Sequence, residues 1–322
     1  MKKILLFGLL IIFFSCNSDF DLELQARPEY GIDDDLDPII ENIKDNEEVQ
    51  ENFQFGTGEG GFCYGYGNPD ANVSDIVLGS VIPTEYDISK YLPAVRSQGK
   101  QGSCVGWATG YYLKSFQENY EDEQNEIIPL DNEMSPAYIY NQIKVTDCSS
   151  GSVIQHALDT IVRQGIVDYN EMLYTDNECD TQPDDAQKEL AESNKIENYF
   201  YLDPDMVFEQ TKAALLNDQP VVIAITIDRS YFGARDENGE FIYRKFKSGD
   251  GGHAMLVVGY DDQRNAFKVV NSWGKGWGNE GFVWIDYKAF QEAGDLTSDF
   301  PVLCEAWITY DIVIPQPQPA SL

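Results

Sequence analysis

Basic side chains are scarce in this chain. Its 322 residues include 22 lysines and arginines against 55 aspartates and glutamates, a formal charge of −33. Such a surface repels phosphate, so a nucleic-acid partner is not expected. Histidine is scarcer still: only His156 and His253 occur, and any mechanism that needs an imidazole must use one of them. None of the six cysteines lies in a C-x-x-C pair, which removes the usual four-cysteine zinc site, and no metal or cofactor is expected. There is no G-x-S-x-G, the elbow of many serine hydrolases. Internal repeats and apolar runs long enough to span a membrane are also missing. What remains is 43% hydrophobic, with 19 tyrosines and 17 phenylalanines. That composition builds a sizeable core, and the length suits about two domains.

The N-terminus has the pattern of an export signal. Lys2 and Lys3 precede the apolar stretch from Ile4 to Phe14, followed by Ser15 and Cys16. About eleven residues at roughly 1.5 Å each reach about half-way across a ~30 Å hydrocarbon layer, so a cleaved signal fits better than a transmembrane anchor. The FFSC ending resembles a bacterial lipoprotein signal. That resemblance implies lipidation of Cys16 and a chain anchored at the cell envelope of a bacterium, although Phe13 stands where that family usually has leucine. Export permits disulfides among Cys63, Cys104, Cys148, Cys179 and Cys304, and an odd count leaves one thiol to be explained.

From Asn17 to Asn52 acidic residues dominate, including Asp33, Asp34, Asp35 and Asp37, and the segment reads as a solvated tether. The Gly- and Tyr-rich stretch 56–70 reads as irregular structure. A helix is expected to begin near Cys104 with Ser103 as its cap. A second covers SVIQHALDTIVRQG, where Ile154, Leu158, Ile161 and Val162 share a face and Gly165 ends it. A third opens at Asp203 and Pro204 and runs to about Asn217. After Pro220 come short β-rich runs: VVIAITI, AMLVVGY, AFKVVNSW, FVWIDY and AWITYDIVI. Helices precede strands, an α+β order in two lobes. The segment GWGNEG satisfies G-x-G-x-x-G, but strands flank it on both sides, whereas a dinucleotide site needs a following helix. His156, on the second helix, reads as a surface or partly buried side chain.

Cys104 falls where the first turn of a helix leaves backbone N–H groups unpaired and the dipole favours an anion, conditions that activate a thiol. The stretch YLPAVRSQGKQGSCVGWATGYYLKSF around it, with GGHAMLVVGYDD and VVNSWGKGWGNEGFVWIDY further on, resembles the three active-site blocks of papain-like cysteine peptidases, in the same order. The resemblance spans about Ile82 to Ile314. It implies a papain-like two-lobe α+β fold, a helical lobe followed by a β-barrel-like lobe with the active-site cleft between them. The expected domains are then a signal peptide at 1–15, the acidic and Gly/Tyr-rich lead-in at 16–80, the peptidase domain at 81–315 and a tail at 316–322. The helical lobe would cover about 95–200 and the β lobe about 205–315.

By that resemblance Cys104 is the nucleophile, His253 the general base and later acid, and Asn271 the group that orients the imidazole. Gln98 would donate to the oxyanion, and Trp273 would cover the His–Asn hydrogen bond. Ser150 and Gly151 would offer backbone hydrogen bonds to an extended peptide, with Val153, Ile154 and Ala224 lining an apolar pocket for the second residue before the cut. Cys148 and Cys179 are expected to pair, and Cys63 with Cys304 by parity. Gln101 and Val105 depart from the family signature, which has a cysteine and an aromatic there, and Asn271 lies further from Cys104 than the usual roughly 130–150 residues. A loop insertion accounts for the spacing. The family's usual propeptide of about a hundred residues, with its long helices, is missing from this sequence. The implied activity is peptide-bond hydrolysis through an acyl-enzyme on peptide or protein substrates. Two alternatives stay open, an acyl transferase or amidase using the same Cys-His-Asn site and a catalytically silent peptide-binding lipoprotein.

Overall fold

The computed structural model describes residues 72–235, 238–245, 251–295 and 303–311. The expected signal peptide, the lipidation site Cys16, Cys63, the acidic tether and the C-terminal tail lie outside them. A long helix (α1) runs through three parts: Cys104–Gly106 is α-helical, Trp107–Lys114 is π-helical and Ser115–Gln124 is α-helical. Ser103 stands at its N-cap position, yet its side chain caps nothing, because the hydroxyl is hydrogen-bonded to Tyr174 Oη at 2.7 Å. Two further helices pack beside it, α2 (Pro136–Ile143) and α3 (Ile154–Gln164). Ser135 caps α2 by accepting from the Tyr138 N–H, with Pro136 in the first turn. On α3, Ile154, Ala157, Leu158, Thr160 and Ile161 are buried while His156 is exposed, as the apolar spacing requires.

Helix α4 (Asp185–Ala191) has a complete capping box between Asp184 and Gln187. Helix α5 (Val207–Leu216) starts later than the Asp203–Pro204 pair suggests. The Asp203 carboxylate instead accepts from the Asp205 N–H at 2.9 Å, closing a local turn before the helix. A short α6 covers Lys288–Gln291.

The strands are β1 (Glu85–Asp87), β2 (Ile196–Tyr201), β3 (Val221–Ile227), β4 (Ile242–Tyr243), β5 (Gly251–Asp261), β6 (Ala266–Val270), β7 (Phe282–Asp286) and β8 (Leu303–Asp311). They form one sheet in the order β2-β8-β3-β5-β6-β7-β4, with β1 added to β5. Among the described residues β2 and β4 do not pair, so the sheet is open and not a closed barrel. It is also mixed, because β4 runs parallel to β7 while its other neighbours are antiparallel. Strand β2 lies just inside the segment expected to be helical, and it joins the sheet because it pairs with β8 from Ile196 to Tyr201.

Strand β5 is buried along its whole length, as a strand covered on both faces must be. At Gly259 a side chain would not fit: a Cβ there would lie 2.7 Å from the Tyr86 carbonyl oxygen of β1. The GWGNEG segment is the connection between antiparallel strands β6 and β7, so no helix follows it.

The pairing of Cys148 with Cys179 is present, with a sequence separation of 31. Constraining an unfolded loop of that size contributes about 3–4 kcal/mol in the chain-entropy picture. Replacing both cysteines by serine is expected to lower the unfolding free energy by up to about that amount, read as a shift in denaturant midpoint. Gly165 ends α3 at φ 80°, and a Cβ there would lie 1.7 Å from the Ala191 carbonyl oxygen. Gly165→Ala is therefore expected to cost more than the ~1 kcal/mol typical of a lost glycine turn, checked by the same denaturation measurement.

Candidate active site

The strand that carries His253 packs against the first turns of α1, which carry Cys104. Both residues are buried. The imidazole Nε2 lies 2.8 Å from Asn271 Oδ1, which makes that nitrogen the N–H donor in the neutral ring. Nδ1 has no hydrogen-bond partner among the described residues. Asn271 is fixed in turn: its Oδ1 also accepts from the Ser272 N–H at 2.7 Å, its backbone N–H donates to Gly281 O at 2.9 Å, and its carbonyl accepts from Tyr112 Oη at 3.1 Å. The Trp273 ring lies 4.7 Å from the imidazole, tilted by 30°. Tyr231 and Phe232 pack on Trp273, the latter stacked at 5.1 Å. This aromatic cover keeps water from the His253–Asn271 bond and so lowers the local dielectric.

Burial pushes the His253 pKa down to about 4, partly offset by the bond to Asn271. The ring is therefore neutral, because burial disfavours its cation and, among the described residues, no anion stands beside it. The reason lies in the sulfur. Cys104 is disulfide-bonded, as is Cys304, and no described cysteine is a free thiol. The odd-count expectation of an unpaired thiol is thereby corrected for the described cysteines. The expected partner of Cys304, Cys63, lies outside the described residues.

Gln98 is fully buried on the loop before Cys104. Its Nε2 donates to Gln101 O at 2.8 Å and its Oε1 accepts from Ser272 Oγ at 2.5 Å. Its backbone N–H also donates to Ser272 O at 2.7 Å. The chain segment after Asn271 therefore positions the loop before Cys104. Gln101 occupies the place where the family signature has a cysteine. Its amide Nε2 donates to the carbonyls of Thr175 (3.2 Å) and Glu178 (3.1 Å), while the Gly102 N–H donates to Cys148 O at 2.9 Å. Hydrogen bonds to the disulfide-bearing segments thus take over the anchoring that a local cystine would supply. Ser272, Gln101 and Tyr174, which donates to Gln98 O at 2.7 Å, are the contributors that sequence reading missed. The serine of NSWG was the only signal in plain sight.

Of the residues expected to meet substrate, Ile154 begins α3 and is buried, Val153 is half-buried at its N-cap position, and Ala224 is buried on β3. Ser150 spends its backbone groups inside its own loop: its N–H donates to Asp147 O, and its carbonyl accepts from Tyr140 Oη. The Gly151 carbonyl accepts from the Val145 N–H at 3.1 Å.

Comparison with known proteins follows the same lines. The sequence pattern described as "Papain family cysteine protease" matches residues 82–298. An uncharacterized peptidase C1-like protein of Acanthamoeba polyphaga mimivirus is 29% identical over 231 residues, covering 68% of this chain and 70% of that protein. A cysteine protease of Blomia tropicalis is 24% identical over 278 residues, covering 83% of this chain and 80% of its own. A gamete and mating-type specific protein of Dictyostelium discoideum is 29% identical, but only 41% of its length is spanned. Among solved structures, xylellain, a cysteine protease from Xylella fastidiosa, shares the fold with a TM-score of 0.59 and 21% identity, covering 78% of this chain and 96% of that one. Procathepsin L 3 of Tenebrio molitor does so with a TM-score of 0.56 and 18% identity, covering 84% and 88%. With the family pattern matching more than half of its length, the chain belongs to the papain family of cysteine proteases and is a cysteine peptidase, a hydrolase.

Proposed function

We propose that this protein is an exported, lipid-anchored thiol endopeptidase in which Cys104 attacks the peptide carbonyl, His253 shuttles the proton and Asn271 holds the imidazole. The observation that carries the reading is the 2.8 Å contact between His253 Nε2 and Asn271 Oδ1, on a strand packed against the helix that begins at Cys104. With Nε2 committed to Asn271, Nδ1 is the nitrogen left for the sulfur.

The cycle starts with reduction of the disulfide on Cys104. An external thiolate attacks the partner sulfur, and Cys104 leaves as a thiolate. That anion supplies the charge the imidazole lacks in the oxidised protein, so His253 takes up a proton and an ion pair forms. The thiolate then adds to the carbonyl carbon. The Cys104 backbone N–H and the Gln98 amide donate to the oxyanion. His253 gives its proton to the departing amine, then takes one from water as the acyl-enzyme is hydrolysed. Export is supported by the basic–apolar–small start of the sequence, and an oxidising compartment by the Cys148–Cys179 cystine. Lipid anchoring rests on the FFSC ending alone. Among the described residues, no helix is long and apolar enough to cross a membrane.

Three outcomes test this reading. Iodoacetamide is expected to label Cys104 at near-neutral pH only after mild reduction and to abolish peptide cleavage, as read by mass spectrometry and a peptidase assay. Full activity in Cys104→Ala would refute it. Gln98→Ala is expected to lower kcat by about 10²–10³, the usual effect of one lost oxyanion donor. Asn271→Ala is expected to cost on the order of a hundredfold through misplacement of the ring, with KM little changed in both variants.

A further inference from the structure

The loop 98–103, which leads from the buried glutamine to Cys104, is braced by one distant segment, 174–179. Tyr174 Oη donates to Gln98 O at 2.7 Å. That bond takes the phenol's one hydrogen, so Ser103 Oγ, also 2.7 Å away, is the donor to the phenol oxygen. The Lys100 N–H points at the Asp176 carboxylate, 3.4 Å away. Gln101 Nε2 donates to the carbonyls of Thr175 and Glu178, two residues that pair with one another as a β-bridge. Cys179 ends the segment and is joined to Cys148, whose carbonyl accepts the Gly102 N–H at 2.9 Å.

Gln101 has two separate tasks in this set. Its side chain is buried, and its Oε1 has no hydrogen-bond partner among the described residues, so the side chain holds on through its two donated bonds. Its main-chain carbonyl meanwhile accepts Gln98 Nε2 at 2.8 Å. At the other end of the same amide, Gln98 Oε1 accepts from Ser272 Oγ. A carboxamide is planar, and bonds at both of its ends fix that plane, and with it the direction of the second hydrogen on Nε2. A shift of the Gln101 carbonyl would swing that hydrogen.

We propose that Gln101 is a positioning residue for the reaction: tied by its side chain to the 174–179 brace, it aims the Gln98 amide at the oxyanion through its own carbonyl. This rests on the role proposed above for Gln98. Gln101 does not touch the substrate and acts only through its neighbour. Because an oxyanion donor matters most when charge develops on the carbonyl oxygen, the brace bears on the chemical step and leaves peptide binding nearly untouched. Tyr174 serves the same end from the other side, since its hydroxyl holds the Gln98 backbone and meets Ser103, the residue before the nucleophile.

The test is a double-mutant cycle on the reduced enzyme, read as kcat and as affinity for a peptide aldehyde. In the aldehyde adduct the Cys104 sulfur bonds to the carbonyl carbon and the π pair moves to the oxygen, which takes the oxyanion's place. Gln101→Met keeps the side-chain length and removes both donors. It is expected to lower kcat by about ten- to a hundredfold and to weaken the aldehyde similarly, while peptide binding to the Cys104→Ala protein, titrated calorimetrically, changes less than about threefold. In a Gln98→Ala background the same substitution is expected to cost less than about threefold, because the group it aims is gone. Tyr174→Phe, a milder change to the same brace, is expected to move kcat and aldehyde affinity in the same direction, so the result does not hang on how well Gln101→Met folds. No effect of Gln101→Met, or equal losses with and without the Gln98 amide, would overturn the proposal and leave Gln101 as a structural support. Aldehyde binding that follows the expected cycle in a protein that cleaves no peptide would uphold it and sink the proteolytic reading instead.

Discussion

The register of strand β5 is the constraint on which the site depends. It pairs with β3 through seven consecutive residues, from Val221↔Val257 to Ile227↔Gly251, and with β6 from Leu256↔Val270 onward. His253 comes from β5, and Asn271 directly follows β6. A slip of one residue between them would turn one side chain to the opposite face and part the imidazole from the amide. Gly259 permits β1 to lie close on the far side of β5, so the strand is gripped along both edges. Precision at the site is a property of the sheet and is not left to a loop.

Cys104, His253 and Asn271 are buried in surroundings rich in aromatic rings, and this has two opposite effects. Low dielectric strengthens the His253–Asn271 hydrogen bond, yet it also strips the imidazole of its proton unless an anion is next to it. The neutral ring and the oxidised sulfur are therefore two sides of one state. In the proposed mechanism reduction changes both together, because a thiolate and an imidazolium stabilise one another. Gln98 and Ser272 carry no proton in this exchange and are neutral throughout, and their mutual hydrogen bond holds the loop before Cys104 in place.

Much of this was legible in the sequence. The β-rich runs after Pro220 became β3, β5, β6, β7 and β8, because β-branched and aromatic residues are concentrated there between turn clusters. Helix α3 kept the face and the terminating glycine that its spacing implied. Helices α2 and α4 went unread although Ser135–Pro136 and Asp184 to Gln187 are ordinary helix starts, because both are short and their apolar faces are brief. Strand β2 was hidden for another reason: Ile196–Tyr201 has an irregular burial pattern, and its place is set by β8, more than a hundred residues later. At the site, the motif singled out His253 and Asn271, which the structure brings within 2.8 Å of one another. The Gln98–Ser272 bond and the anchoring role of Gln101 are products of long-range packing, which local pattern does not record.

Lys114 is almost completely buried on α1, ten residues beyond Cys104, and pairs with Glu118 at 2.5 Å and with Asp311 at 2.8 Å. Asp311 ends the last described strand. A buried ammonium with an incomplete set of counter-ions is costly, so the helix that begins at Cys104 depends for its seating on Asp311 at the end of the last described strand. The architecture thereby knots an early helix to a late strand, so that loosening the far end of the sheet is felt at the near end of the body.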